Sequence, residues 1–221
     1  SAFRILGFPV AAPASRKGFV RRFSGVAEDS TVEDRLPGSL ASVAAGYEHR
    51  EGRTWRSLAD TTNQPIISPR TPQAWRSWQR SEDYYTEGEL VWLDADTLIR
   101  EKSGGKKSLD DFARGFFGVQ DGRTEVLTYT FDDVVKALND VLPYDWASFL
   151  HARVDAAGGQ APLDGLARGG WKLIYNDKPP ADAGGARGGT DLGYSLGLSL
   201  GKDNKIGGVA WNSVAFKAGL A

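Results

Sequence analysis

Two adjacent phenols lead the chemistry this sequence could carry. Tyr84 and Tyr85 stand in Tyr84-Tyr85-Thr86-Glu87-Gly88, at the start of a helical pattern, with Trp75, Trp78 and Trp92 nearby in the chain. A phenol with an ordinary pKa of about 10 keeps its proton at neutral pH, so either could donate a hydrogen bond to a developing oxyanion. The same residues also suit an aromatic core cluster, and composition and spacing favour that account.

The other reactive side chains read as structural. The sequence contains no H-E-x-x-H, G-x-S-x-G, C-x-x-C or G-x-x-x-x-G-K-[ST] motif. Gly105-Lys106-Lys107-Ser108 lacks the upstream glycine of a phosphate loop, and Ser108 is better used as a helix cap. Asp110/Asp111 and Asp132/Asp133 fall in helical first turns, where carboxylates satisfy free amides. Asp96 and Arg100 are spaced for an intrahelical ion pair. Of the two histidines, His49 lies near a helix end and His151 within an amphipathic helix. No metal-ligand set is expected from the residues present.

The elements that must position these groups are mainly helical. Leu40, Val43, Ala44 and Tyr47 predict a helix over 39–50 that Ser39 caps, and a short helix follows over 54–62. Pro65, Pro69 and Pro72 then impose an extended connection. Tyr84, Gly88, Val91, Ala95 and Leu98 mark a buried helix over 83–102, in which Gly88 implies that another segment or a ligand passes close by. Capping boxes at Ser108 and Thr130, and a cap at Asp145, open three more helices. After Gly158-Gly159 the pattern turns to strands over 171–175, 195–200 and 206–211, a mobile small-residue loop from Pro179 to Gly189, and a helix from Ser213.

Composition narrows the classes further. Lys+Arg number 27 against 28 Asp+Glu, which argues against a general nucleic-acid binder or a polybasic membrane-surface protein. No apolar run is long enough for a membrane span, and no intact signal peptide is present. Without cysteine there is no disulfide framework, thiolate zinc site or cysteine nucleophile. The chain also lacks methionine, even at its first position, which suggests a processed, truncated or trimmed product.

From Gly46 to Gly118 the ordered combination GRTWRSLAD, WRSWQ, YYTEG, LDADTLIR and GKKSLDDFARGFF resembles the downstream half of the catalytic region of glycyl aminopeptidases. These are thermolysin-like zinc peptidases with a C-terminal PDZ domain. The likeness extends more loosely through TYTFDDVV and PYDW to the end, and residues 1–38 show none. The resemblance implies an α+β fold: an unassigned leader over 1–38, the helical half of a thermolysin-like domain over 39–158, and an incomplete PDZ-like domain over 159–221. It implies that Tyr85, with Tyr84 as the fallback, stabilises an oxyanion, and that Glu87 stands where such enzymes often have lysine. Ser195, Leu196, Gly197 and Leu198 take the position of a peptide-binding carboxylate loop, and NSVAFKAGL that of the short helix after the third strand.

The expected function is that of a fragment of a zinc-dependent aminopeptidase that removes N-terminal, small residues from peptides. Zinc belongs to the full-length parent, whose H-E-x-x-H and downstream glutamate would lie before Ser39. For this chain alone no cofactor and no activity are expected. Its partners would be peptide substrate and the missing N-terminal catalytic half, with neither nucleic acid nor a membrane span. A signal peptide upstream would make the parent periplasmic or secreted. The alternative is a non-catalytic helical and PDZ-like module that binds a peptide or protein.

Overall fold

The computed structural model describes residues 32–63, 75–118, 122, 126–158, 160–173, 175 and 189–220. The connection containing Pro65, Pro69 and Pro72 and nearly all of the loop from Pro179 lie outside these residues, as do residues 1–31. In chain order the elements are α1 (Val32–Glu48), a 3-10 turn (Glu51–Thr54), α2 (Leu58–Thr61), α3 (Arg76–Gln79), α4 (Asp83–Lys102), α5 (Leu109–Phe117), α6 (Phe131–Val141), α7 (Trp146–Val154) and α8 (Asp164–Arg168). Then come β1 (Thr190–Leu192), β2 (Leu198–Leu200), β3 (Ile206–Val209) and α9 (Val214–Lys217). The chain is therefore α+β, and among the described residues no helix is long and apolar enough to cross a membrane.

The long helix α4 has the bounds its periodicity predicts. Helix α1 instead starts at Val32, so Ser39 lies inside it rather than at its cap; the helix expected over 54–62 is the shorter α2, and the 3-10 turn precedes it. No strand forms at the described residues of 171–175. The Trp171 amide closes the end of α8 on the Leu166 carbonyl at 2.9 Å, a use that the sequence, read without α8, did not suggest. The other two strands are shorter than expected, and β1 was not foreseen.

The described residues form two compact units. One comprises Gly88–Ala156 and Pro162–Lys172, and is helical. Its core includes Leu98, Ile99, Phe112, Leu138, Trp146 and Leu150, and Trp92 stacks on Phe112 at 5.5 Å. Both capping boxes form: the Asp111 carboxylate accepts from the Ser108 amide at 2.9 Å, and that of Asp133 from the Thr130 amide at 2.8 Å. Asp145 accepts from the Ser148 amide at 3.0 Å. Asp96 does more than pair with Arg100: its second oxygen accepts the Leu109 amide at 2.7 Å, which holds the start of α5. Asp94 is fully buried between Arg153 and Arg168.

The second unit comprises the described parts of Thr31–Glu87, Ala157–Ala161 and Leu173–Ala221. Its sheet is antiparallel in the order β1-β2-β3, with Leu192 opposite Leu198 and Leu198 opposite Val209. Tryptophans of the WRSWQ stretch pack onto the segment that follows β3. Trp78 lies 5.6 Å from Trp211, Trp75 lies 5.0 Å from Phe216, and the Trp211 amide donates to Ser77 Oγ at 3.1 Å.

Among the described residues no other segment closely approaches Gly88: beyond its chain neighbours and the helix's own backbone, no atom lies within 4 Å of where its side chain would begin. Crowding falls instead at Gly52, where a Cβ would meet the Arg80 side chain and stand 2.8 Å from the Trp78 carbonyl oxygen. At Gly165 a Cβ would stand 2.6 Å from the Asp94 backbone.

Candidate functional site

The YYTEG turn is held by charges drawn from three stretches of sequence. The 3-10 turn brings Arg53 inward, and Gly52 leaves room for Arg80 to lie across it. Arg53 Nε donates to Glu87 Oε1 at 2.8 Å, and Arg80 donates to the other oxygen of the same carboxylate. Arg80 Nε also reaches Asp83 Oδ2 at 2.8 Å, while Arg50 reaches Asp83 Oδ1 at 2.9 Å. Positive and negative groups thus alternate along Arg50, Asp83, Arg80, Glu87 and Arg53. Apart from Arg50, all of these residues are buried.

Burial makes this arrangement all-or-none. An ion in the interior is costly unless each of its oxygens or N–H groups is matched. Both Glu87 oxygens are matched; burial pushes its pKa upward, and the guanidinium groups of Arg80 and Arg53 oppose that rise. Arg80 holds φ at 59°, a left-handed conformation that costs a non-glycine residue about 1 kcal/mol or more and persists where surrounding bonds over-determine it. Its N–H to the Arg56 carbonyl, at 2.6 Å, is one such bond.

A second clasp joins α1 to the same turn. The buried Tyr47 hydroxyl lies 2.5 Å from Thr86 Oγ1, and the Arg50 guanidinium sits 4.8 Å from the Tyr47 ring centre. Burial, then the negative charge of Asp83, pushes the Tyr47 phenol up to about 12.

Tyr84 and Tyr85 are half-exposed, beside the exposed Thr86 and the buried Glu87, with ring centres 4.5 Å apart. The Tyr84 hydroxyl donates to Glu82 at 3.5 Å. Burial, followed by hydrogen bonding to Tyr85 and the charges around it, raises the Tyr84 pKa. Tyr84 therefore stays protonated at neutral pH. Trp92, grouped in sequence with Trp75 and Trp78 around the tyrosines, belongs to the helical core instead.

Neither histidine lies in a metal-binding constellation. His49 Nε2 is 3.1 Å from the Tyr175 hydroxyl, which donates to Glu48 at 2.5 Å, and His151 pairs with Asp155. Among the described residues no three of His, Asp and Glu group as metal ligands, so these residues do not fit a zinc site.

Ser195, Leu196, Gly197 and Leu198 form the turn into β2. Gly197 has φ of 75°, and a side chain there would collide with Ser213. Leu198 is buried, whereas Leu196 is exposed. The amides of Ser195, Leu196 and Gly197 all donate to the Leu192 carbonyl, at 3.2, 2.9 and 2.9 Å.

These stretches are similar to those of a peptidase family. The family model of M61 glycyl aminopeptidases matches residues 20–91, so the chain is similar to that family over the stretch containing Arg53, Arg80, the two tyrosines and Glu87. The match begins upstream of residue 39, so part of the leader that had shown no resemblance lies within it. No curated protein matches the chain.

Arg53, Arg80 and Asp83 were not singled out by sequence reasoning, and Glu87 was noted only for departing from a lysine. The available signal was the mixing of arginines and carboxylates with tryptophan, tyrosine and glycine in these segments. Which of them pair is a matter of chain path.

Proposed function

We propose that the YYTEG turn forms the substrate-facing part of an M61-type aminopeptidase site, in which Tyr85 donates a hydrogen bond to the oxyanion formed as an N-terminal peptide bond is attacked. Small N-terminal residues, glycine among them, are the expected substrates. The observation that carries this reading is the closed ion network on Glu87. It fixes the first turn of α4 before substrate arrives, and a donor held in place beforehand is the kind that stabilises a transition state.

Zinc, on this reading, belongs to a metal-bearing half that supplies H-E-x-x-H and a further glutamate. The 221 residues by themselves are then inactive. To test this, the chain is joined in one polypeptide to the metal-bearing half of an M61 enzyme, and glycine release from glycyl peptides is measured. Tyr85→Phe should lower turnover by about 10²–10³ with metal content unchanged, the scale of one lost oxyanion donor. Unchanged turnover would return Tyr85 to aromatic packing and move the role to Tyr84. Chelator-sensitive hydrolysis by the 221-residue chain alone would overturn the division of labour.

A second reading, a PDZ-like peptide-binding module, is supported by the left-handed Gly197 turn leading into β2 and by the short helix α9 after β3. On this reading, a bulky residue at Gly197 abolishes peptide binding.

A further inference from the structure

The Leu192 carbonyl is the most heavily used acceptor in the sheet. Three consecutive amides, those of Ser195, Leu196 and Gly197, converge on it. The carbonyls of that turn face elsewhere: Leu196 accepts from the Ala215 amide at 2.9 Å and Gly197 from the Ala210 amide at 2.7 Å. The turn therefore presents a set of N–H donors to a single oxygen.

That oxygen ends β1, which runs antiparallel to β2 with Thr190 opposite Leu200 and Leu192 opposite Leu198. The other edge of β2 is taken by β3. In strand-addition recognition, an extended peptide pairs with a free strand edge and its terminal carboxylate enters a nest of backbone amides. Here β1 fills both places.

We propose that β1 is an internal ligand: it covers the edge of β2, and its Leu192 carbonyl occupies the amide nest of Ser195, Leu196 and Gly197 that would otherwise receive the C-terminal carboxylate of a peptide. The proposal rests on the PDZ-like reading and adds that the site is closed by its own chain. A peptide enters as β1 leaves.

The balance between the two occupants follows from their chemistry. Thr190 and Asp191 are exposed and Leu192 is only half-buried, so little apolar burial holds β1 down. A carboxylate accepts hydrogen bonds roughly twice as strongly as a neutral carbonyl, which favours the incoming peptide. Tethering favours β1, with an effective concentration on the order of millimolar. Gly189 is the weak point, because a side chain there would collide with the Leu200 carbonyl oxygen and lie 3.1 Å from its carbon.

The test uses the 221-residue chain and a fluorescein-labelled pentapeptide with the sequence of Gly188-Gly189-Thr190-Asp191-Leu192, made with a free carboxylate and as the amide. Fluorescence anisotropy should show Gly189→Val binding the free acid at least tenfold more tightly than the unsubstituted chain, with no gain for the amide. Hydrogen exchange at the amides of Ser195, Leu196 and Gly197 should quicken in the variant. Thr190→Pro, which disfavours β1 as a strand, should act in the same direction if Gly189→Val does not fold. Equal, tight binding of the free acid by the unsubstituted chain and the variant would overturn the closure while leaving peptide recognition standing. Faster exchange with no binding would overturn the proposal through the PDZ-like reading itself. Equal binding of acid and amide would remove the carboxylate from the site.

Discussion

Arg53 donates through Nε to Glu87 at 2.8 Å, although 34 residues separate them and both side chains are buried. This bond ties the GRTWR stretch to the YYTEG turn. Arg80, which follows the WRSWQ stretch directly, bonds the second Glu87 oxygen. Motifs that are separate in the sequence are therefore parts of one charged construction around the tyrosines.

Glu87→Ala should destabilise the fold by about 3–5 kcal/mol, because it leaves two buried guanidinium groups without their carboxylate. Glu87→Gln should cost less, since the amide oxygen still accepts one bond. Urea denaturation at pH 7 measures both. A loss below about 1 kcal/mol for the alanine variant would show that the network is not holding the turn.

Two glycines should respond to alanine with opposite sign. Gly52→Ala places a methyl against the Arg80 side chain and 2.8 Å from the Trp78 carbonyl oxygen, and should cost about 1–3 kcal/mol. Gly88→Ala meets open space within α4 and should stabilise by up to about 1 kcal/mol through helix propensity. Thermal melting of the two variants decides between these signs.

Acid should erase the contribution of Asp133. The Thr130 amide and hydroxyl hold its carboxyl below the usual carboxylate range. A lowered folded pKa means that the stabilisation is complete above the unfolded value, about 3.9, and is lost as pH falls through the folded value. The Tm gap between the unsubstituted chain and Asp133→Ala should stay constant from neutral pH to about pH 5, then close in stronger acid. A gap that widens in acid would contradict the cap.

The buried carboxylate of Asp94 should be as demanding as Glu87. Arg153 Nε reaches Asp94 Oδ2 at 2.6 Å, and Arg168 bonds the other oxygen. Asp94→Ala should cost about 3–5 kcal/mol in denaturant titrations. Replacing Arg153 as well should restore part of that loss, because fewer buried charges are then left unmatched.

Local features were legible in the sequence because their causes are local. Ser108 with Asp111, Thr130 with Asp133, and Asp145 cap helices through partners within three residues, and the bounds of α4 follow from its own periodicity. The expectation of a passing segment at Gly88 shows the converse case. A glycine in a helix signals a close approach only if some distant segment arrives there, and the segments arrive at Gly52 and Gly165. The strand expected at 171–175 failed in the same way: Trp171 has a strand-like composition, but its amide is taken by the end of α8.

The sequence by itself determined most of the helical frame, the caps at Ser108, Thr130 and Asp145, the likeness to M61 glycyl aminopeptidases, and the absence of an H-E-x-x-H motif from the residues given. Each of these depends on residue identity at short spacing. Only the tertiary structure decided that Glu87 is an anchor between two arginines and that the amides of residues 195–197 close on Leu192. Glu87 finds its partners across the fold, where desolvation makes matched charges obligatory and leaves unmatched ones too costly to keep. Leu192 lies nearby in sequence, but its carbonyl has no identity for a sequence to reveal, because every residue carries one and only the path of the chain chooses among them.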